Sequence, residues 1–319
     1  MLVVDDLQPN IELMEAIFVK EGFQVHQALD ADRALEVYAM QRIDVAVLDV
    51  MMPGINGFEL CRRLKKFSEK EFLPIVLVTA LNDKKSRLTG LESGADDFIS
   101  KPFDTQELLM KIRSLLKLKE LHEQLDHSEN IIFSLVSTME ARDYYTKGHS
   151  TRVGDLAAEF GSFLGFSAED QDILKKAGTL HDIGKVGLCE TILKKPGRLT
   201  SEEIIAVRRH PVLGEQICSP LKSLNSLLPG IRHHHERWDG AGFPDNLSGE
   251  RIPLMARILS IIDSFDAMVS IRPYRNNRSL DNALSLIDQE SSEGQWDPAL
   301  VNEFISMMRL IIKESYTHA

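Results

Sequence analysis

Three cysteines, two tryptophans and five tyrosines are all that 319 residues supply of these types. Cys61, Cys189 and Cys218 are too few and too scattered for a disulfide framework. A reducing compartment is therefore the default, and the cytoplasm the expected location. CxxC pairs are missing, which argues against a structural zinc site built on thiolates. No apolar run approaches the ~18–20 residues of a membrane span, and the N-terminus has no basic signal-peptide flank, so no membrane association is expected. Cations are short as well: 37 Lys+Arg against 48 Asp+Glu leave a net charge of −11. That balance is wrong for a sequence-blind nucleic-acid binder, and no recognition helix with a basic face is present, so DNA is not an expected partner. The remainder, 43% hydrophobic and 27% charged, is ordinary for a globular chain of about two domains. One residue type is unevenly spread: six of ten histidines lie between His149 and His235. Histidine is the commonest metal ligand, so that cluster asks for an explanation.

Along residues 1–117, short β-branched runs alternate with amphipathic stretches. Leu2–Val4, Val25–Gln27, Val45–Leu48, Ile75–Val78 and Asp97–Ile99 read as strands, with segments such as Ile11–Lys20 and Arg33–Met40 as helices between them. The alternation predicts an α/β domain: a doubly wound, five-stranded parallel sheet with helices on both faces. From residue 118 the period changes. Leu118, Leu121, Leu125, Ser128, Ile132, Leu135 and Met139 follow a three–four spacing, broken by Ser128. Two readings fit the helical linker 118–140: a coiled coil pairing two copies into a homodimer, or a helix packed on its own domain. No Gly or Pro interrupts Thr105–Asp143, so one helix is expected to cross the domain boundary, a stiffer connection than a Gly/Ser tether. Residues 130–319 read as an all-α domain. Ser167 with Asp170 and Thr200 with Glu203 look like capping-box starts, and Lys195–Arg198 and Trp238–Glu250 are loops.

In doubly wound sheets, ligands bind beyond the carboxyl ends of the strands. Asp5 and Asp6 follow the first strand and Asp49 the third; Thr79 ends the fourth and Lys101 follows the fifth. All five fall on one edge. Singly each has an ordinary explanation, a helix cap or a solvated lysine, but the set at one edge is hard to reach by chance. Three carboxylates there repel each other unless a divalent cation joins them, and Mg²⁺ suits hard oxygen ligands with room for a phosphate oxygen. Asp49 is then placed to attack a phosphoryl group, forming an aspartyl phosphate. Lys101 can neutralise the added charge, and the Thr79 hydroxyl can hydrogen-bond a phosphoryl oxygen. The stretches VVDD (Val3–Asp6), LDVMMPGINGFEL (Leu48–Leu60), VTA (Val78–Ala80) and KPF (Lys101–Phe103) resemble the receiver domain of two-component response regulators. The resemblance implies phosphorylation of Asp49 by a sensor histidine kinase, with Phe98 in the place of an aromatic switch residue. The chain begins almost directly on its first strand, with an expected cost in edge packing and none at the site.

In the second half, His181 and Asp182 close an apolar helical stretch. Adjacent side chains on a helix diverge by about 100°, and a metal wedged between them would give both a purpose. His149 lies upstream; His210, the run His233–His234–His235 and Asp263 lie downstream. Imidazoles and carboxylates together suit Fe, Mn, Ni or Zn. Two such metals ~3.5–4 Å apart would activate a water and clamp a phosphodiester. A lone histidine is usually a satisfied core or surface residue, and His26, His122, His127 and His318 are read that way. Periodicity alone does not choose among His233, His234 and His235.

The order of motifs does choose. HSTRV (His149–Val153), LHDIGKVG (Leu180–Gly187), KKPGRLT (Lys194–Thr200) and RHPVLGEQI (Arg209–Ile217) are followed by HHERWDGAGFP (His234–Pro244), IPLMARIL (Ile252–Leu259), DSFDAM (Asp263–Met268), RPYR (Arg272–Arg275) and WDP (Trp296–Pro298). The series resembles the HD-GYP family of metal-dependent phosphohydrolases, which degrade cyclic di-GMP. The resemblance implies that His149, His181, Asp182, His210, His234, His235 and Asp263 are metal ligands, with Asp182 bridging two divalent transition metals. It further implies that Asp182 and Lys185 are catalytic, and that Lys185, Arg272 and Arg275 bind substrate phosphate, Arg through its planar fork. His233 is left unassigned. Three departures stand out. Phe243 replaces the name-giving Tyr, losing a hydroxyl. Tyr145 stands where some members place a Glu for a third metal, which favours two metals. Cys189–Glu190 replaces the usual Pro-Asp, and Cys189 is read as a small buried apolar residue.

The implied function is a response regulator that hydrolyses cyclic di-GMP to pGpG and onward to GMP, with phosphorylation of Asp49 passed through the 118–140 helix as a change in dimer packing. The alternative is an adaptor that binds nucleotide or diguanylate cyclase proteins and hydrolyses little; Phe243 is its only support in the sequence.

Overall fold

The computed structural model describes the chain except residues 69–70, 81–83, 143–147, 194, 196, 271–278 and 318–319. The described residues form two compact units, Met1–Asp126 and His127–Ala319.

In the first unit five short strands, β1 (Leu2–Val4), β2 (His26–Ala28), β3 (Ala46–Asp49), β4 (Ile75–Thr79) and β5 (Asp97–Ser100), alternate with helices α1 (Gln8–Lys20), α2 (Ala31–Met40), α3 (Gly57–Phe67) and α4 (Lys84–Glu92), with α5 (Thr105–Arg142) after the last strand. All neighbours are parallel in the order β2-β1-β3-β4-β5. The five expected strands are all present, four of them ending one residue further toward the C-terminus. Successive strand residues point to opposite faces, so the apolar runs supply two cores. Leu2, Val4, Ala46, Leu48, Ile75 and Leu77 pack against residues of α2 and α3. Val3, Val45, Val47, Val76 and Val78 pack with Ile11, Met14 and Phe18 of α1 and Leu108 and Ile112 of α5. Strand order reverses between β1 and β3, which places the ligand crevice of such a sheet at the ends of these two strands. At Gly57, the first residue of α3, a Cβ would stand 2.2 Å from the Asp49 carbonyl oxygen, so only glycine lets the helix start this close to the end of β3.

The long helix α5 leaves the first unit and ends in the second, as the absence of Gly and Pro predicts. Its seam divides the two readings. Leu118, Leu121, Leu125 and Leu135 are 52%, 46%, 52% and 40% exposed, whereas within the seam Ile132 packs against the core of the second unit, next to the buried Val136 that lies outside the seam.

The second unit continues with α6 (His149–Phe163), α7 (Ala168–Leu180), α8 (Glu190–Leu193), α9 (Ser201–Val207), α10 (His210–Cys218), α11 (Leu228–His233), α12 (Leu254–Val269), α13 (Leu280–Ser292) and α14 (Pro298–Thr317). No strand occurs among its described residues. Thr200 and Glu203 complete the expected capping box of α9, while at α7 Ser167 caps the helix and donates its own hydroxyl to Asp170. Helices α6 and α7 cross at Gly154 and Gly178, where a Cβ on Gly178 would lie 2.9 Å from the Gly154 Cα. Behind them Phe304 is fully buried, edge-on to Phe160 at 5.4 Å and to Phe265 at 5.2 Å. Among the described residues no helix is long and apolar enough to cross a membrane.

Removing the ring at this junction, Phe304→Ala, is expected to cost about 3–5 kcal/mol. Both tryptophans, Trp238 and Trp296, lie in the second unit, so their fluorescence during urea unfolding reports on it directly. An unchanged midpoint would contradict the packing described.

Candidate functional sites

The sheet of the first unit brings its acidic set together as the strand ends predict. Asp5, Asp6 and Asp49 have carboxylate oxygens within 4.8 Å of one another. Lys101 reaches over them, its Nζ 2.8 Å from Asp5 Oδ2 and 2.7 Å from Asp49 Oδ1. Thr79, at the end of β4, is buried on the same edge. Asp49 Oδ2 accepts from the Met51 amide at 2.9 Å. Asp5 is held from below by the Leu7 amide and by Asn10 Nδ2, a partner that sequence reading missed. Two buried carboxylates thus face one ammonium. Burial, then repulsion from Asp5, lifts the Asp49 carboxyl above its ordinary value even though Lys101 opposes the shift. Lys101, with two anions to itself, is held charged more firmly than a free lysine despite its own burial. The imbalance is the kind a divalent cation offsets. Phe98 is half-buried on β5, packed against the core.

In the second unit helix ends deliver the histidines. Helix α7 stops at Leu180; His181 still has helical angles, but Asp182 turns to φ −96°, ψ 2° and opens a 3₁₀ turn over Ile183–Gly187. That change lets two neighbouring side chains converge, His181 Nε2 standing 3.4 Å from Asp182 Oδ2. The 3₁₀ turn lies against α10 at Gly184, where a Cβ would meet the His210 carbonyl oxygen at 1.9 Å. This contact sets His210 Nε2 3.2 Å from Asp182 Oδ1. His234 and His235 follow α11, His149 opens α6, and Asp263 projects from α12. Two groups of mutually close ligand atoms result: Asp182, His210, His234 and His235; and His149, His181 and Asp182. Asp263 Oδ1 joins the second at 3.2 Å from His149 Nε2 and 3.7 Å from His181 Nε2.

The last four carbonyls of a helix have no intrahelical donor, and three imidazoles use them. Nδ1 of His181, His210 and His234 donates to the carbonyl three residues earlier, Gly178 (2.6 Å), Val207 (2.7 Å) and Ile231 (2.8 Å), at the ends of α7, α9 and α11. A carbonyl only accepts, so Nδ1 carries a proton in each ring and Nε2 is the nitrogen turned inward. At His181 burial disfavours a second proton, but the adjacent Asp182 and Asp263 carboxylates outweigh it and raise the group above its ordinary value. His210 Nε2 and His234 Nε2 then face each other at 3.2 Å, and His181 Nε2 and Asp182 Oδ1 are buried without a hydrogen-bond partner. Burial, reinforced by the neighbouring histidines, holds His234 well below the usual imidazole range, and burial lowers His235 to about 4. Inward ring nitrogens beside a buried carboxylate oxygen, with His234 and His235 held neutral, fit a cation between them. This is a candidate metal centre by its donor chemistry.

His149 is oriented differently. Its Nδ1 lies 2.7 Å from Asp266 Oδ2, and Arg152 grips Asp266 with Nε at 2.7 Å and Nη2 at 2.9 Å. Burial opposes charge on the ring, but hydrogen bonds donated to Asp263 and Asp266 outweigh it and raise the group to about 9. Asp266 and Arg152 were not singled out in the sequence, although each sits three residues after a predicted ligand on the same helix face.

The remaining candidates separate clearly. Lys185 Nζ pairs with Asp182 Oδ2 and is partly exposed. Arg272, Arg275 and Tyr145 lie outside the described residues. His233 turns to another group, with Glu236 and Asp245, its Nδ1 3.4 Å from Asp245 Oδ2. Phe243 stacks on His235 at 4.8 Å and supports the Arg208 guanidinium at 5.1 Å, so the ring has contacts that need no hydroxyl. The reading of Cys189 as buried is corrected: it is exposed on the short connection after the 3₁₀ turn, hydrogen-bonded to Thr191.

An acidic pocket on one unit and a histidine–aspartate cluster in a second unit whose described residues are helical place the chain in the class of receiver domains joined to metal-site output domains. Comparison with known proteins makes this specific. The model of the response regulator receiver domain matches residues 1–113 and that of the HD domain residues 135–300. The chain belongs to the family of response regulators that join a receiver domain to an HD domain. It is 31% identical to the "Cyclic di-GMP phosphodiesterase response regulator RpfG" of Xanthomonas campestris, over 95% of this chain and 86% of that protein. It is 33% identical to a "Cyclic di-GMP phosphodiesterase" of Thermotoga maritima, over 97% of this chain and 90% of that one. A "3'3'-cGAMP-specific phosphodiesterase 3" of Vibrio cholerae is 37% identical over 53% of this chain and 37% of its own length.

Thiol labelling checks the burial pattern. Burial pushes the Cys218 thiol up to about 11 and raises Cys61, whereas a hydrogen bond from Thr191 lowers the exposed Cys189. Thiolates are the reactive form, and at pH 8 a thiol titrating near 11 is ionised to about one part in a thousand. One iodoacetamide adduct, on Cys189, is expected in the native chain at pH 8, and three after denaturation; rapid native labelling of Cys218 would contradict the structure.

Proposed function

We propose that the second unit hydrolyses cyclic di-GMP at a binuclear metal centre, opening the ring to pGpG and continuing to GMP, and that phosphorylation of Asp49 controls it. Asp182 carries this reading. Its Oδ1 faces His210 at 3.2 Å and its Oδ2 faces His181 at 3.4 Å, so each oxygen belongs to a different ligand group, and Asp182 would be the residue that two cations hold in common. The names of relatives that span nearly the whole chain supply the substrate.

When bound, divalent cations at this centre supply positive charge against a phosphoryl oxygen and a water acidic enough to attack at neutral pH. The donor set suits Fe, Mn, Ni or Zn. The chain's own residues hold and orient. His149, His181 and Asp263 with Asp182 form one ligand set, and His210, His234 and His235 with Asp182 the other. Lys185 keeps an ammonium beside Asp182 for the arriving phosphate, and Arg272 and Arg275 are assigned the flanking phosphate contacts. In the first unit Asp5, Asp6 and Asp49 are assigned Mg²⁺, with Asp49 as the phosphoacceptor, Lys101 and Thr79 contacting the phosphoryl group, and a sensor histidine kinase as donor. The exposed Leu118, Leu121 and Leu125 stripe is assigned to pairing with a second copy, a seam through which phosphorylation changes dimer packing.

The test is turnover of cyclic di-GMP, 3'3'-cGAMP and pGpG in parallel by metal-reconstituted full-length protein, with products resolved over time. Cyclic di-GMP should be consumed, chelation should return the rate to background, and Asp182→Ala should lower it by about 10²–10³-fold or more. Cleavage of 3'3'-cGAMP alone would overturn the substrate; cleavage of none of the three by metal-loaded protein would leave the adaptor reading.

The seam has its own measurement. Leu118→Asp with Leu125→Asp should shift the protein from dimer to monomer in sedimentation velocity. Equal turnover with and without Asp49 phosphorylation, at matched oligomeric state, would sink the control by the receiver while leaving the hydrolysis standing.

A further inference from the structure

Helix α6 begins with the metal-ligand candidate His149, yet it has no cap of its own. Its N-cap residue is Gly148, in the left-handed region at φ +72°, and makes no side-chain cap hydrogen bond. The first N–H groups of a helix lack intrahelical acceptors, and here one distant carboxylate takes two at this start. Glu140 Oε2 accepts from the Gly148 amide at 2.8 Å and Oε1 from the Ser150 amide at 2.7 Å. The two oxygens therefore bracket His149, binding the residue before it and the residue after it. Glu140 is only 8% exposed, so both bonds form largely out of water. Its charge also sits at the positive end of the α6 dipole.

Glu140 lies in the last turn of α5, the helix whose early residues Leu108 and Ile112 belong to the core of the first unit. With Met139 it lines the recess that also exposes His149, Asp182 and Lys185. One wall of the metal recess is thus the end of the linker helix, and the contact that fixes the backbone of a ligand rides on that helix.

We propose that Glu140 is a positioning residue: from the end of α5 it sets His149 against the metal, so that the placement of this helix is read at the centre as affinity for the cation. The inference rests on the metal-centre reading above and assigns that centre its mechanical link to the linker.

The experiment uses Mn²⁺ alone as probe, without nucleotide, on the metal-stripped full-length chain, with free Mn²⁺ followed by electron paramagnetic resonance. Wild type and variants alike carry Asp6→Asn and Asp49→Asn, which remove the cation site assigned to the first unit. Glu140→Gln replaces one acceptor oxygen by an amide nitrogen that opposes a backbone N–H; Glu140→Asp keeps the charge one methylene further back. Thr200→Ala removes the capping box of α9 and serves as an ordinary helix-cap control. Glu140→Gln is expected to weaken Mn²⁺ binding by about 10–100-fold, as for a lost outer-shell partner, with Glu140→Asp intermediate. Thr200→Ala should lower Tm and leave Mn²⁺ affinity unchanged. Affinity within twofold of wild type in both Glu140 variants, or an equal loss in Thr200→Ala, overturns the proposal. A wild-type chain that takes up no Mn²⁺ sinks the metal-centre reading and this inference together, whereas Mn²⁺ uptake without cyclic di-GMP turnover counts against the substrate alone.

Discussion

Three of the five imidazoles at the candidate metal centre are oriented by hydrogen bonds between Nδ1 and the unused carbonyls of helix ends, and the rest of the cluster is arranged around them. A neutral histidine has one donor and one acceptor nitrogen. Giving Nδ1 to the carbonyls of Gly178, Val207 and Ile231 leaves Nε2 of His181, His210 and His234 turned inward. The same bonds cap α7, α9 and α11, so local helix termination and ligand orientation are one event. Once the rings are buried, inward nitrogens face each other and Asp182 Oδ1 is left without a hydrogen bond, an arrangement that costs free energy unless positive charge enters.

The first unit stores an imbalance of the same kind with different chemistry. Asp5 and Asp49 face a single ammonium at the point where strand order reverses. Mg²⁺ or a phosphoryl group would each change the local charge, and a short, rigid sheet has few ways to absorb that change except through the loops and helices beside it. The chain thus carries two electrostatically incomplete sites, with one uninterrupted helix running from the first unit into the second.

Much of this was legible in the residues. Strand ends carrying Asp5, Asp6, Asp49, Thr79 and Lys101 follow from alternation and from the rule for parallel sheets. Both capping starts were visible, although at α7 the Asp170 side chain takes a hydroxyl rather than closing a box. The heptad spacing was visible too, but a three–four period is the same for a helix facing a partner and one facing its own core. Exposure of Leu118 and Leu125 and packing of Ile132 on the core of the second unit separate the two readings along the seam. Cys189 was misjudged because free cysteine is usually buried, and the turn after Gly187 carries it outward. Asp266 and Arg152 were overlooked because neither is a ligand candidate alone; their role exists only once α6 and α12 pack.

By itself the sequence determined the order of elements, the helix starts and stops, and the set of side chains able to bind a cation. These are local properties, set by period, by caps and by the chemistry of each residue. Motif order pointed to the histidines that converge, but only the tertiary structure supplies the physical reason. His233 and His234 are neighbours in the chain, yet one joins the cluster and the other turns to Glu236 and Asp245. That choice is made by where α11 ends and by how closely α10 approaches through Gly184, distances that no linear spacing encodes.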